Sequence, residues 1–140
     1  MLFRSPADSD LGSARLLLAW AEAVLSEEPL AAARLEALLA VASPLFRVDV
    51  LRVQGLLATK QGRWEVAAAA LDDALERTRA MPFPYAELKA LWAYGLLEAA
   101  RGDPVAAYER SSAALAICDQ LGEGLYRTHI VRDLAALTQE

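Results

Sequence analysis

The amino-acid sequence predicts an all-α chain, a stack of about seven helices joined as hairpins, and three observations carry that prediction. Apolar residues recur with a period near 3.6, and no stretch alternates as a half-buried strand does. Helix-starting and helix-stopping residues are dense and regularly placed. Positions in the middle of the chain repeat at one offset: Gly55 and Gly95 (95 − 55 = 40), Gly62 and Gly102, Ala67 and Ala107, and Ala74 and Ala114 all stand 40 residues apart.

The elements follow in order, at roughly 9–26, 29–42, 45–60, 64–80, 84–101, 104–121 and 124–138. In the first, Leu16-Leu17-Leu18-Ala19-Trp20-Ala21 runs on in helical register to Val24 and Leu25. Glu22 ends the apolar run, and Asp8 and Asp10 precede it, so it reads as a helix of a soluble protein rather than as a signal peptide. Nor does it approach the roughly 20 apolar residues that a membrane span needs. Ser26-Glu27-Glu28-Pro29 opens the second helix with a cap, acids in the first turn and a proline whose missing N–H is harmless there. Ser43-Pro44 opens the third. Gly62, after Lys60 and Gln61, is a left-handed stop before the fourth. Two prolines in Met81-Pro82-Phe83-Pro84 force a break before the fifth. In Gly102-Asp103-Pro104 glycine ends one helix, aspartate caps the next and proline opens it. Gly122 and Gly124 bracket the last break.

Two faces follow from the period. Leu88, Leu91, Trp92, Gly95, Leu96 and Ala99 share one, and Ala107, Ser111, Ala114, Cys118 and Leu121 share the other. Small residues fall where neighbouring helices must come close.

The spacing Gly55…Ala67…Ala74, repeated as Gly95…Ala107…Ala114, resembles the tetratricopeptide repeat. That motif reads W-x2-L-G-x2-Y…A-x3-F with a period of about 34. Here Leu51 and Leu91 replace its Trp, Gln54 and Tyr94 its Leu, and Ala58 and Glu98 its Tyr; the longer pitch lengthens helices and inter-repeat loop. The resemblance implies a right-handed solenoid in one domain over 1–140: a degenerate repeat at 9–43, repeats at 45–80 and 84–121, and a closing helix at 124–138. The Met-Pro-Phe-Pro-Tyr loop and the run from Gly95 to Asp103 further resemble the C-terminal sensor repeats of MalT-like, LuxR-type ATP-dependent bacterial transcription regulators. In such proteins these repeats receive a small effector or a protein partner. Neither a GxxxxGK[ST] loop nor a helix-turn-helix signature occurs in this sequence.

Composition narrows the function. The chain is 56% hydrophobic and 24% charged, which is ample for a core and apolar enough to suggest a surface that a partner covers. A net charge of −5 without a Lys/Arg cluster disfavours direct nucleic-acid binding. One cysteine, Cys118, and one histidine, His129, permit neither an internal disulfide nor a structural zinc site, and suit a reducing cytoplasmic setting. No cofactor is implied.

Catalysis finds little to work with. Cys118 lies in an apolar stripe, where cysteine behaves as a small hydrophobe. Adjacent helical residues do not face each other, so Asp72-Asp73 is not an acid/base pair, and Glu27-Glu28 belongs to a helix start. The chain therefore reads as a non-enzymatic interaction module.

In the tetratricopeptide arrangement the first helix of each hairpin lines a groove. That places Asp49, Arg52, Leu56 and Lys60 there from one unit, Lys89, Trp92 and Leu96 from the next, and His129 and Arg132 from the last helix. An aromatic ring among cations suits an acidic or C-terminal peptide, or an anionic small effector. The bland reading puts Trp92 in the core, pairs Arg52 and Lys89 with nearby acids and leaves His129 a half-exposed helix residue. The equivalent positions of the first helix include Leu17, Ala21, Val24 and Leu25, an apolar edge suited to self-association as a homodimer. The sequence expectation is thus a protein- or peptide-binding module, with effector sensing in a larger transcription regulator as the alternative.

Overall fold

A computed structural model describes residues 29–41 and 43–138, and every described element is an α-helix. These are α1 (Pro29–Val41), α2 (Pro44–Lys60), α3 (Trp64–Ala80), α4 (Pro84–Ala100), α5 (Pro104–Leu121) and α6 (Leu125–Leu137). They match the second to seventh expected helices to within one residue at each end. The expected helix at 9–26 lies outside the described residues.

Local chemistry sets the boundaries. The Ser43 hydroxyl accepts from the Phe46 N–H at 3.3 Å, and Pro44 takes the first position of α2. Asp103 does the same for α5, accepting from the Ala106 N–H at 3.0 Å ahead of Pro104. Gly62 and Gly102 carry φ of +73° and +86°, left-handed conformations that turn the chain from α2 into α3 and from α4 into α5 within three residues. The start of α6 is capped from outside: the Glu123 carboxylate accepts from the Tyr126 N–H at 2.9 Å and the Arg127 N–H at 3.2 Å. Burial works against the charged form of Glu123, but these backbone donors outweigh it and hold the carboxyl below its ordinary pKa.

Each helix packs on the next in the chain, most extensively within the α2–α3 and α4–α5 hairpins. Alternate helices also meet, α2 against α4 and, more lightly, α4 against α6. The principal core runs through α2 to α6, with Leu71, Leu88, Leu97, Cys118 and Ile130 fully enclosed. A second cluster joins Leu35 and Leu38 of α1 to Val50, Val53 and Leu57 of α2.

The expected helix faces largely hold. Leu88, Leu91 and Gly95 of α4 are buried, as are Ala107, Ser111, Ala114 and Cys118 of α5. Ala99 and Leu121 are exposed instead; both sit in the last turn of their helices. No helix among the described residues is long and apolar enough to cross a membrane.

Several polar groups in this apolar stack find partners. Glu98 is buried, and its carboxylate forms a two-pronged bond with the Arg101 guanidinium. Burial, and then the Asp72 carboxylate, raise the pKa of the buried Tyr94 hydroxyl, and the Arg110 guanidinium lies 3.9 Å from the Tyr94 ring centre. These contacts tie α3, α4 and α5 together. Asp73 pairs one turn along α3 with Arg77 at 2.8 Å, so the adjacent aspartates serve two different partners.

Candidate functional site

Helices α2, α4 and α6 alternate along the chain and share one side of the stack, where their side chains form a connected polar and aromatic face. The 40-residue offset explains the gathering. Asp49, Lys89 and His129 form one column of equivalent positions, and Arg52, Trp92 and Arg132 form another.

On the α2 side the face is ionic. Asp49 Oδ1 lies 3.3 Å from Lys89 Nζ and 3.6 Å from an Arg52 Nη. All three are withdrawn from solvent, with side chains 30%, 14% and 17% exposed respectively. Burial first, then the neighbouring Arg52 charge, push the Lys89 ammonium below its ordinary pKa, while Asp49 pulls it back up. Nε of Arg52 is buried and donates to no acceptor among the described residues. Two cations therefore share one carboxylate oxygen.

On the α6 side the face is aromatic. The Trp92 indole N–H donates to Asp133 Oδ2 at 2.7 Å, and its ring stacks on the His129 imidazole, centres 5.7 Å apart and planes 17° from parallel. Tyr126 meets Trp92 edge-to-face at 5.6 Å and Tyr85 edge-to-face at 6.0 Å. Lys89 joins the two halves, its ammonium lying 5.1 Å from the Tyr85 ring centre and 5.9 Å from that of Tyr126. The arrangement offers cation-borne N–H donors beside ring faces.

Five of the nine expected groove residues, Asp49, Arg52, Lys89, Trp92 and His129, meet in this network. Leu56 is half-buried and packs on the principal core. Leu96 is half-buried, Lys60 is exposed in the last turn of α2, and Arg132 is exposed, 3.6 Å from Asp133. The pairing of Arg52 and Lys89 with an acid, and the packing of Trp92 on core residues, agree with the bland expectation. The residues of the self-association edge, Leu17, Ala21, Val24 and Leu25, lie outside the described residues.

Tyr85, Tyr126 and Asp133 belong to the face without having been singled out. Helical spacing carries a signal for each: Tyr85 stands four residues before Lys89, and Tyr126 and Asp133 flank His129 at three and four.

Cys118 is fully buried, and its thiol points to Glu123 at 3.7 Å. Burial and then the Glu123 charge raise its pKa to about 11. A thiol so protonated at neutral pH is a poor nucleophile.

Comparison with family models, with curated proteins and with solved structures finds no match for this chain.

Proposed function

We propose that the chain is a non-catalytic interaction module, a tetratricopeptide-like right-handed solenoid that receives a protein or peptide on the α2–α4–α6 face in a cytoplasmic setting. One observation carries the reading. Three helices spread along the chain contribute Arg52, Lys89, Trp92 and His129 to a single connected face in which two partly buried cations share one carboxylate beside aromatic rings. Rings beside partly desolvated cations are what an acidic or C-terminal peptide segment, or an anionic effector, would use. The high thiol pKa of Cys118 supports a role without a thiolate nucleophile.

The test is selection from a displayed library of random peptides against the immobilised chain. Peptides enriched on the native chain should lose at least about tenfold in affinity on Trp92→Ala, a usual loss at an aromatic anchor. The variant's helical circular dichroism must be retained for the comparison to count. Enrichment that is indifferent to Trp92, Arg52 and Lys89 places binding elsewhere and overturns the reading.

Exposed apolar side chains on the last two helices favour a second reading. Val105 and Leu125 are 68% and 69% exposed, and Tyr108 and Val131 are also open. A surface of that kind suits packing against a further part of an effector-sensing transcription regulator. The full-length gene decides it: an ATPase module or helix-turn-helix encoded in the same reading frame favours this second reading.

A further inference from the structure

We propose that Asp49 is a charge filter: held between Arg52 and Lys89, it restricts this face to a singly charged carboxylate and turns doubly charged anions away. The inference rests on the reading of the α2–α4–α6 face as the binding face and names the chemistry that this face accepts.

The argument begins with the charge count. Arg52 and Lys89 bring two positive charges into a setting where their side chains are 17% and 14% exposed, and Asp49 returns one negative charge. One unit of positive charge stays uncompensated within the cluster. Partly buried charge is costly unless it finds a counter-ion and hydrogen-bond partners.

The hydrogen-bonding capacity is also unfilled. A single Asp49 oxygen serves both cations, at 3.6 Å from the guanidinium and 3.3 Å from the ammonium. Arg52 Nε meets no acceptor among the described residues. A carboxylate supplies the two oxygens that match a guanidinium edge, and its one negative charge completes the count. The Tyr85 and Tyr126 rings beside Lys89 displace water from one side of its ammonium, which lowers the local dielectric and strengthens both attraction and repulsion there.

A doubly charged anion meets the opposite balance. Asp49 cancels about half of the pull that Arg52 and Lys89 would exert on it, while stripping water from two charges costs far more than stripping it from one. Like charges a few ångströms apart in such a setting separate two ligands by about tenfold or more.

The test uses the full chain and two simple anions, sodium acetate and sodium sulfate, titrated at matched ionic strength. The readout is the side-chain Nε–H resonance of Arg52, followed by 15N–1H correlation NMR and assigned by its loss in Arg52→Lys. The filter predicts a saturable shift with acetate and binding of sulfate weaker by about tenfold. Asp49→Asn should move the preference by about tenfold toward sulfate, and Asp49→Glu should keep the native order. The native comparison stands even where a variant melts early. Equal affinity for both anions in the native chain, or a preference untouched by Asp49→Asn, overturns the filter while leaving the binding face intact. Silence toward both anions in the native chain and in Asp49→Asn overturns the filter and the anionic preference of the face together; the peptide selection then reports separately on whether the face binds at all.

Discussion

Where α2 and α3 come closest, Gly55 faces Leu71; forty residues on, where α4 and α5 come closest, Gly95 faces Ser111. A methyl group added to Gly55 would stand 2.6 Å from Leu71 Cγ, and the next two nearest atoms across the helix pair are the Leu71 methyl carbons. A methyl group on Gly95 would meet the Ser111 hydroxyl, with the Ala107 carbonyl and the Ser111 N–H at 3.5 and 3.6 Å behind it. In the first hairpin glycine is a hole that receives a leucine. In the second, glycine and serine together bring two backbones within reach of each other. One sequence offset thus serves two ways of packing a pair of helices, and the choice lies in the residue opposite the glycine.

The largest effect expected from this comparison is on the glycines themselves. Gly55→Leu and Gly95→Leu should each cost about 3 kcal/mol or more in urea denaturation, because the added side chain has nowhere to go. Alanine separates the hairpins. Gly55→Ala should cost about 2 kcal/mol, since Leu71 is fully buried and has little room to yield. Gly95→Ala should fall within about 1 kcal/mol of the native chain, as the serine hydroxyl rotates aside and alanine favours the helix. Equal costs for the two alanines would erase the distinction.

A smaller effect sharpens it. The α4–α5 hairpin buries Glu98 under Arg101, whereas the equivalent positions of α2–α3 are the buried Ala58 and the C-terminal Gln61. Arg101→Ala should cost about 1–2 kcal/mol, reduced from the full price of an orphaned buried carboxylate because Arg101 is about one-third exposed. Gln61→Ala should change stability by less than about 0.5 kcal/mol. Matching urea midpoints for the two variants would show that Glu98 gains nothing from its partner.

The smallest effect concerns the turns. Asp103 caps α5, but Arg63, in a similar backbone conformation, leaves α3 without a side-chain cap. Asp103→Ala should lower stability by about 1 kcal/mol, and Arg63→Asp should raise it by about 0.5–1 kcal/mol. A neutral Arg63→Asp would mean that the α2–α3 turn cannot present a capping oxygen.

Helix boundaries were legible because their chemistry is local. Ser43, Gly62, Asp103 and Gly102 act on backbone groups within a few residues, and the sequence displays that grammar directly. The close approaches at Gly55 and Gly95 were legible from their spacing, though not the identity of the opposing residue. Partnerships across helices were harder. That Asp49 would bridge both Arg52 and Lys89, or that Asp133 would accept from the Trp92 indole, depends on how each helix is rotated against its neighbour. Rotation is set jointly by the whole core, so no single segment encodes it. Tyr126 and Asp133 entered the face for the same reason, carried there by the packing of α6 on α5 and α4.

The lone thiol gives this stack a clock. Cys118 lies in the last turn of α5, sealed from solvent and protonated at neutral pH. A reagent such as iodoacetamide meets it only when α5 and α6 part or the chain unfolds. Because the sequence holds a single cysteine, the labelling rate counts those openings without competition from any other site. A bound partner that clamps α6 to α4 through Trp92 would slow the clock, and the delay would measure its grip before its identity is known.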